Sequence, residues 1–211
     1  MEYISGMRDR ELERYYAARA PEYDDVYAKP ERAEDLEWLG GRLADAAAGR
    51  DVIELACGTG AWTRVLARTA ARLVATDVVQ EVMVHGRHAK TLGPWPRKAH
   101  LARMDAFRPA LRPAGSDMVA CGFMWSHLAR GREAAFCSTA LSLLRPGGVF
   151  AAWDNLYVEG SNSRIVERDA DGNTWQERVL KDGTCQRVRK NFPTREELEA
   201  IGRPFGSTSV E

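Results

Sequence analysis

Residues 52–63 read Val52-Ile53-Glu54-Leu55-Ala56-Cys57-Gly58-Thr59-Gly60-Ala61-Trp62-Thr63, and residues 73–77 read Leu73-Val74-Ala75-Thr76-Asp77. An apolar run, a glycine turn, a helical stretch, a second apolar run and a terminal acid form the first half of a nucleotide-binding βαβ unit. Asp77 stands about 20 residues beyond Gly58, where such units place the acceptor for ribose hydroxyls. A dinucleotide fingerprint needs a third glycine for close packing round a pyrophosphate. This chain has Thr63 there. Glu54, just before the turn, would repel a phosphate and suits a cationic ligand.

Outward from this unit the chain keeps alternating. Arg8 to Arg19 has helical composition and ends at Pro21, and Pro30 opens a helix over Glu31 to Ala48. Strands are expected at Val52–Ala56, Leu73–Thr76, His100–Met104, Asp117–Phe123 and Val149–Trp153. Helices are expected at Ala61–Ala70, Val79–Lys90 and Arg130–Leu144. Arg145-Pro146-Gly147-Gly148 reads as a turn before the fifth strand. Short strands alternating with helices predict one open, mostly parallel sheet with helices on both faces. Thr174–Leu180 and Cys185–Lys190 flank Lys181-Asp182-Gly183-Thr184 and predict a β-hairpin. Thr194 with Glu197 makes a capping box for a last helix.

The 211 residues suffice for one domain with a full core. Thirty basic and thirty acidic residues balance, which argues against a nucleic-acid-binding surface. Cys57, Cys121, Cys137 and Cys185 form no Cys-x-x-Cys pair and read as core or near-core thiols, with neither zinc site nor disulfide framework. Reduced thiols fit the cytoplasm. No apolar run reaches membrane-spanning length, and Met1-Glu2-Tyr3-Ile4-Ser5-Gly6 is no signal peptide.

Glu54-Leu55-Ala56-Cys57-Gly58-Thr59-Gly60 resembles the glycine-rich motif of class I S-adenosylmethionine-dependent methyltransferases. The likeness runs from about Tyr15 to Phe192, and the turn before strand five shares it. It implies a Rossmann-like α/β fold with S-adenosylmethionine as cofactor and S-adenosylhomocysteine as product. That fold ends in two further strands, of which at most one fits here, so a final strand is expected to be missing. The implied division is a lid helix at 1–30, a cofactor-binding core at 31–154, a hairpin substrate cap at 155–192, and a last helix with the start of a strand at 193–211.

The resemblance also assigns residues. Glu54, Ala56, Gly58, Thr59, Gly60 and Trp62 would approach the methionine part of the cofactor, Asp77 with Val78 the ribose, and Asp105 with Ala106 the adenine. Phe123, beside Met124, would line the pocket. Tyr15, Tyr16 and Tyr23 lie in a segment that folds over the cofactor as a lid, where aromatic faces suit a sulfonium. Catalytic roles fall to His127, Tyr16 and Asp154, with His127 the candidate base for an alcohol or amine. Trp125, Tyr157, Arg178, Arg187 and Lys190 are the expected substrate-binding residues, and the last three would cradle an anion if they converge. A small-molecule subgroup that includes a phosphonate O-methyltransferase shows a similar arrangement. The expected activity is in-line methyl transfer to a small molecule, anionic if those three cations converge, by a monomer or homodimer acting on neither nucleic acid nor membrane. Two rivals remain: a cofactor cyclase or lyase on the same fold, and a binding module without turnover.

Overall fold

The computed structural model describes residues 2–211. Helix α1 (Glu2–Arg19) runs into a stretch of 3-10 turns (Ala20–Ala28), and α2 (Ala33–Ala47) follows. The core alternates β1 (Asp51–Leu55), α3 (Ala61–Leu66), β2 (Arg72–Asp77), α4 (Gln80–His88), β3 (Ala99–Arg103), β4 (Ser116–Gly122), α5 (Glu133–Ser142) and β5 (Leu144–Trp153). Three strands come after, β6 (Ile165–Arg168), β7 (Thr174–Val179) and β8 (Cys185–Arg189), and α6 (Arg195–Gly202) closes the sequence of elements.

The first five strands pair in the order β3-β2-β1-β4-β5, all parallel. The order reverses between β1 and β4, and at such a switch point open α/β sheets hold their ligands beyond the carboxyl ends of the strands. One face is packed by Leu43, Val52, Leu66, Leu73 and Met118 under α2 and α3. The other is packed by Ile53, Leu55, Val119, Phe136 and Ala140 under α5. Burial on both faces explains the nearly continuous apolar runs of the central strands.

The expected turn at Arg145–Gly148 lies inside β5. Ser116 pairs with Leu144 and Met118 with Val149, so these four residues bulge out of the ladder, with Gly147 at φ 79°. The expected hairpin is present as β7 and β8, joined by β6 into a separate antiparallel sheet. Thr194 caps α6, its hydroxyl accepting from Glu197 N while the Glu197 carboxylate accepts from Thr194 N. No strand follows α6 among the described residues. Arg195 instead takes the Val210 carbonyl, and Arg42 pairs with Glu211. All four cysteines are free; three are buried, whereas Cys185 is exposed on the β8 edge of its pair with Val179.

Candidate active site

The carboxyl ends of β1, β2 and β4 meet beneath the 3-10 stretch after α1. Gly58 and Gly60 take left-handed backbone, φ 56° and 79°, which glycine adopts without steric cost. The Asp77 carboxylate, buried, accepts from Gly58 N and from Val79 N, both at 2.8 Å. It thereby ties the glycine turn to the end of β2 and keeps further lone pairs for a ligand. Two residues that are not glycine also sit in the left-handed region here, Ala56 (φ 54°) at the end of β1 and Phe123 (φ 57°) at the end of β4. Strained backbone of this kind persists only where its surroundings over-determine it, and it gathers at functional sites.

Glu54 is 2 % exposed and accepts from the Thr63 hydroxyl at 2.5 Å. Burial pushes its carboxyl up to about 8, with the nearby Asp77 adding to the rise and the Thr63 bond opposing it. Asp77 too is raised by burial, against its backbone hydrogen bonds. Two buried acids side by side, with no ion pair to either among the described residues, fit a ligand that brings positive charge. Because Glu54 rises from an ordinary 4.5 to about 8, folding takes up a proton between those values. Its contribution is whole below about pH 4.5 and is lost as pH rises through 8. Thermal unfolding of the free protein is therefore expected to fall more steeply from pH 6 to 8.5 than that of Glu54→Gln, which carries no such proton. Parallel profiles for the two would show that Glu54 is ionised throughout.

The 3-10 stretch after α1 lies on the turn. A Cβ on Gly58 would come within 2.8 Å of the Tyr23 hydroxyl, so the glycine leaves the space that this ring fills. The Thr59 hydroxyl donates to Asp24 at 2.5 Å. Lys181 of the hairpin loop pairs with Asp25, and its backbone N–H donates to Glu22. Tyr16 stacks near both Tyr23 and His127, with centroids 5.7 and 5.5 Å away. Tyr15 is placed differently: buried against Leu180 and Val188, it anchors α1 to the hairpin. Trp62 packs with Tyr27, Phe123 and Trp153. Val78 packs beside Ala20 and Val82. Asp105 is exposed and accepts from Phe107 N at 2.8 Å, while Ala106 is buried beside the core.

His127 has both ring nitrogens engaged. Nδ1 lies 2.7 Å from the Arg189 carbonyl, which can only accept, so Nδ1 carries the proton. Nε2, 2.7 Å from the Tyr16 hydroxyl, then accepts from it. Burial, reinforced by Lys190, holds the imidazole well below its usual range, so it is neutral. The histidine thus reaches an acceptor only through Tyr16. Asp154 is paired with Lys190 at 3.0 Å, both side chains buried, and accepts from Ser126 N at 2.8 Å. Lys190 also donates to Ser126 Oγ at 2.5 Å.

The three expected cations do not converge. In the hairpin register Gln176 faces Val188, Glu177 faces Arg187 and Arg178 faces Gln186. Alternation then puts Arg178 and Lys190 on one face and Arg187 on the other. Arg187 pairs with Glu167 and lies over Trp175, exposed. The third cation on the inner face is Arg19, which the sequence reading passed over. It lies over the rings of Tyr15 and Tyr23, 5.9 and 5.4 Å from their centroids, and acts electrostatically on Tyr16 and Lys190. Its signal was helical spacing, four residues beyond Tyr15 and three beyond Tyr16. Arg178 acts on the same two residues and donates to Gln176 Oε1. Tyr157 stacks on Phe192 and donates to Glu159. Trp125 is buried against Phe136 in the core. Among the described residues no group of His, Cys, Asp and Glu could hold a metal ion, and no helix is long and apolar enough to cross a membrane.

Residues 52–148 match the family model of the methyltransferase domain. A curated relative, "Probable S-adenosylmethionine-dependent methyltransferase" of Mycolicibacterium smegmatis, is 35 % identical over 109 residues, 52 % of this chain and 39 % of its own length. The chain thus spans about two fifths of the curated relative it matches. Among solved structures, the DhpI-SAM-HEP complex superposes with TM-score 0.74 and 29 % identity, covering 94 % of this chain and 88 % of the other. The DhpI-SAH complex gives TM-score 0.72 and 27 % identity, with 94 % and 87 % covered. A protein of Pyrococcus horikoshii, 20 % identical with TM-score 0.69 and 90 % and 89 % covered, shares the fold. In its glycine turn, its spaced acid, its parallel sheet and these matches, the chain is similar to the class I S-adenosylmethionine-dependent methyltransferases, and its residues 52–148 match their domain.

Proposed function

We propose that the chain binds S-adenosylmethionine and transfers its methyl group to a small molecule bearing an anionic oxygen, a phosphonate or carboxylate. The observation that carries this reading is the gathering of Arg19, Arg178 and Lys190 round the Tyr16–His127 pair, beside the glycine turn. The cofactor fits the residues present: Glu54 and Asp77 are buried acids without a counter-cation among the described residues, and the Tyr23 ring lies on the glycine turn where an aromatic face suits a sulfonium. Asp77 would hold the ribose, the turn and Glu54 the methionine part, and Ala106 with Asp105 the adenine. When bound, S-adenosylmethionine supplies an electrophilic methyl carbon on a sulfonium.

The protein's work is then positioning. The three cations hold the acceptor's oxygen in line with the methyl, and the closed lid keeps water out. An ionised acceptor gives up no proton, so no base is required. The bond from its hydroxyl to His127 fixes Tyr16, whose ring edge, the positive part of the aromatic quadrupole, would face the anionic acceptor. The four free cysteines suit a reducing cytoplasm.

Tyr16→Phe is expected to lower kcat about 10- to 100-fold while S-adenosylhomocysteine affinity stays within about threefold. His127→Phe should match it, and the double variant should be little worse, since the two act as a unit. With His127 neutral, the rate should show no inflection between pH 6 and 7. A clear inflection there would make His127 the titrating base of an alcohol or amine reaction. The function is tested by incubation with methyl-labelled cofactor and a panel of phosphonates, carboxylates, alcohols and amines, read by mass spectrometry. Labelled esters with S-adenosylhomocysteine are expected. Methylthioadenosine as product would overturn methyl transfer, and labelling of neutral acceptors alone would overturn the anionic assignment.

A further inference from the structure

Arg64 lies on α3, outside the pocket, and its guanidinium gathers four backbone carbonyls from three segments. It donates to Thr59 O at 3.2 Å and Gly60 O at 3.0 Å in the glycine turn. It donates to Gly86 O of α4 at 2.9 Å, and to Gly93 O at 2.9 and 3.3 Å through two nitrogens. Its plane lies over Trp95, 5.3 Å from the ring centroid. Trp95 in turn sits on Gly60, where a Cβ would come within 2.4 Å of the ring, and it is fixed by a bond to Ala99 O. Gly86 is as tightly seated, since a Cβ there would meet Thr59 O at 2.0 Å. Because a peptide unit is planar, drawing the Thr59 and Gly60 carbonyls outward sets the orientation of both planes of the turn.

We propose that Arg64 is a positioning residue for the cofactor: it holds the glycine turn, from behind, in the form that receives the methionine part of S-adenosylmethionine. This rests on the methyltransferase reading. Only a planar fork with five donors can serve these carbonyls together, and a lysine ammonium reaches fewer of them. The turn's two left-handed glycines give it freedom to relax once the clamp is removed. The clamp therefore acts on affinity, whereas chemistry at saturating cofactor proceeds in a turn that the ligand itself has reshaped.

The test compares Arg64→Gln and Arg64→Lys with wild type, and uses Arg72→Gln as control, because Arg72 is exposed and pairs with Asp51 at the opposite end of the sheet. Calorimetric titration with S-adenosylhomocysteine gives the Kd, and far-UV dichroism and thermal unfolding report the fold. Arg64→Gln is expected to raise the Kd about 5- to 30-fold, with Arg64→Lys between it and wild type and the control unchanged. Turnover at saturating cofactor should stay within about threefold of wild type. A folded Arg64→Gln with the wild-type Kd overturns the assignment; if that variant does not fold, Arg64→Lys decides by the same comparison. Wild type that fails to bind overturns the methyltransferase reading itself, and is thereby distinguished from a failure of Arg64 alone.

Discussion

Asp77→Ala is expected to weaken S-adenosylhomocysteine binding by at least a hundredfold, with most of the folded structure retained. The carboxylate already serves two buried N–H groups, at Gly58 and Val79, and those bonds aim its remaining lone pairs over the turn. Two ribose hydroxyls bonded to an ionised acceptor contribute about 3–6 kcal/mol together. Each 1.4 kcal/mol is roughly tenfold in affinity. The alanine variant also orphans both N–H groups, so the turn loses its shape along with its ligand. Asp77→Asn separates the two effects, since its amide oxygen can keep one backbone bond while the charge is gone. Calorimetry on both variants checks this. Unchanged affinity in Asp77→Ala would remove the acid from the cofactor site altogether.

Lys190→Met is expected to cost about 3–5 kcal/mol of folding stability, the usual range when one partner of a buried ion pair is removed. For a chain of this size that lowers Tm by roughly 6–20 °C. The pair is shielded, with side-chain exposure of 5 % for Lys190 and 9 % for Asp154, so solvent offers the orphaned carboxylate little relief. The variant also loses the donor to Ser126 Oγ. The double variant Lys190→Met with Asp154→Asn is expected to recover much of the loss, because no charge is then left buried. Urea unfolding of the three proteins measures it. A single variant within about 1 kcal/mol of wild type would mean that water reaches the pair and that its worth is that of a surface bridge. The experiment also bears on function. A lysine held this firmly is available to an acceptor only as a fixed charge, set in place by Asp154.

What was legible in the sequence was local. The β1–turn–α3–β2 unit, Asp77 at its end, the hairpin and the Thr194 capping box each depend on residues close along the chain. Their spacing carries their geometry. The inner and outer faces of the hairpin follow from register, which the Lys181–Asp182–Gly183 loop sets by joining Leu180 N to Thr184 O. Counting outward from that loop would have removed Arg187 from the cluster. Arg19 was hidden for another reason: an arginine near a helix end looks solvated until the rings of Tyr15 and Tyr23 are known to lie against it. The pairing of Asp154 with Lys190 and of Tyr16 with His127 joins residues 36 and 111 positions apart. Nothing in composition or period encodes those meetings. The left-handed backbone at Ala56 and Phe123 is equally silent in sequence, since neither residue type advertises it.

Those two residues have a bearing on how this protein could be made more stable. Each holds a conformation that costs a side-chain-bearing residue on the order of 1–3 kcal/mol, and each stands where a central strand gives way to the pocket. The protein therefore gives up part of its thermal tolerance at the end of the sheet that carries the glycine turn. Selection for heat resistance would find relief there first, and would trade it against the shape of the pocket. Durable variants are better sought at the opposite end of the sheet, where Asp51, Arg72, Asp117 and Arg145 already form a surface network remote from the pocket.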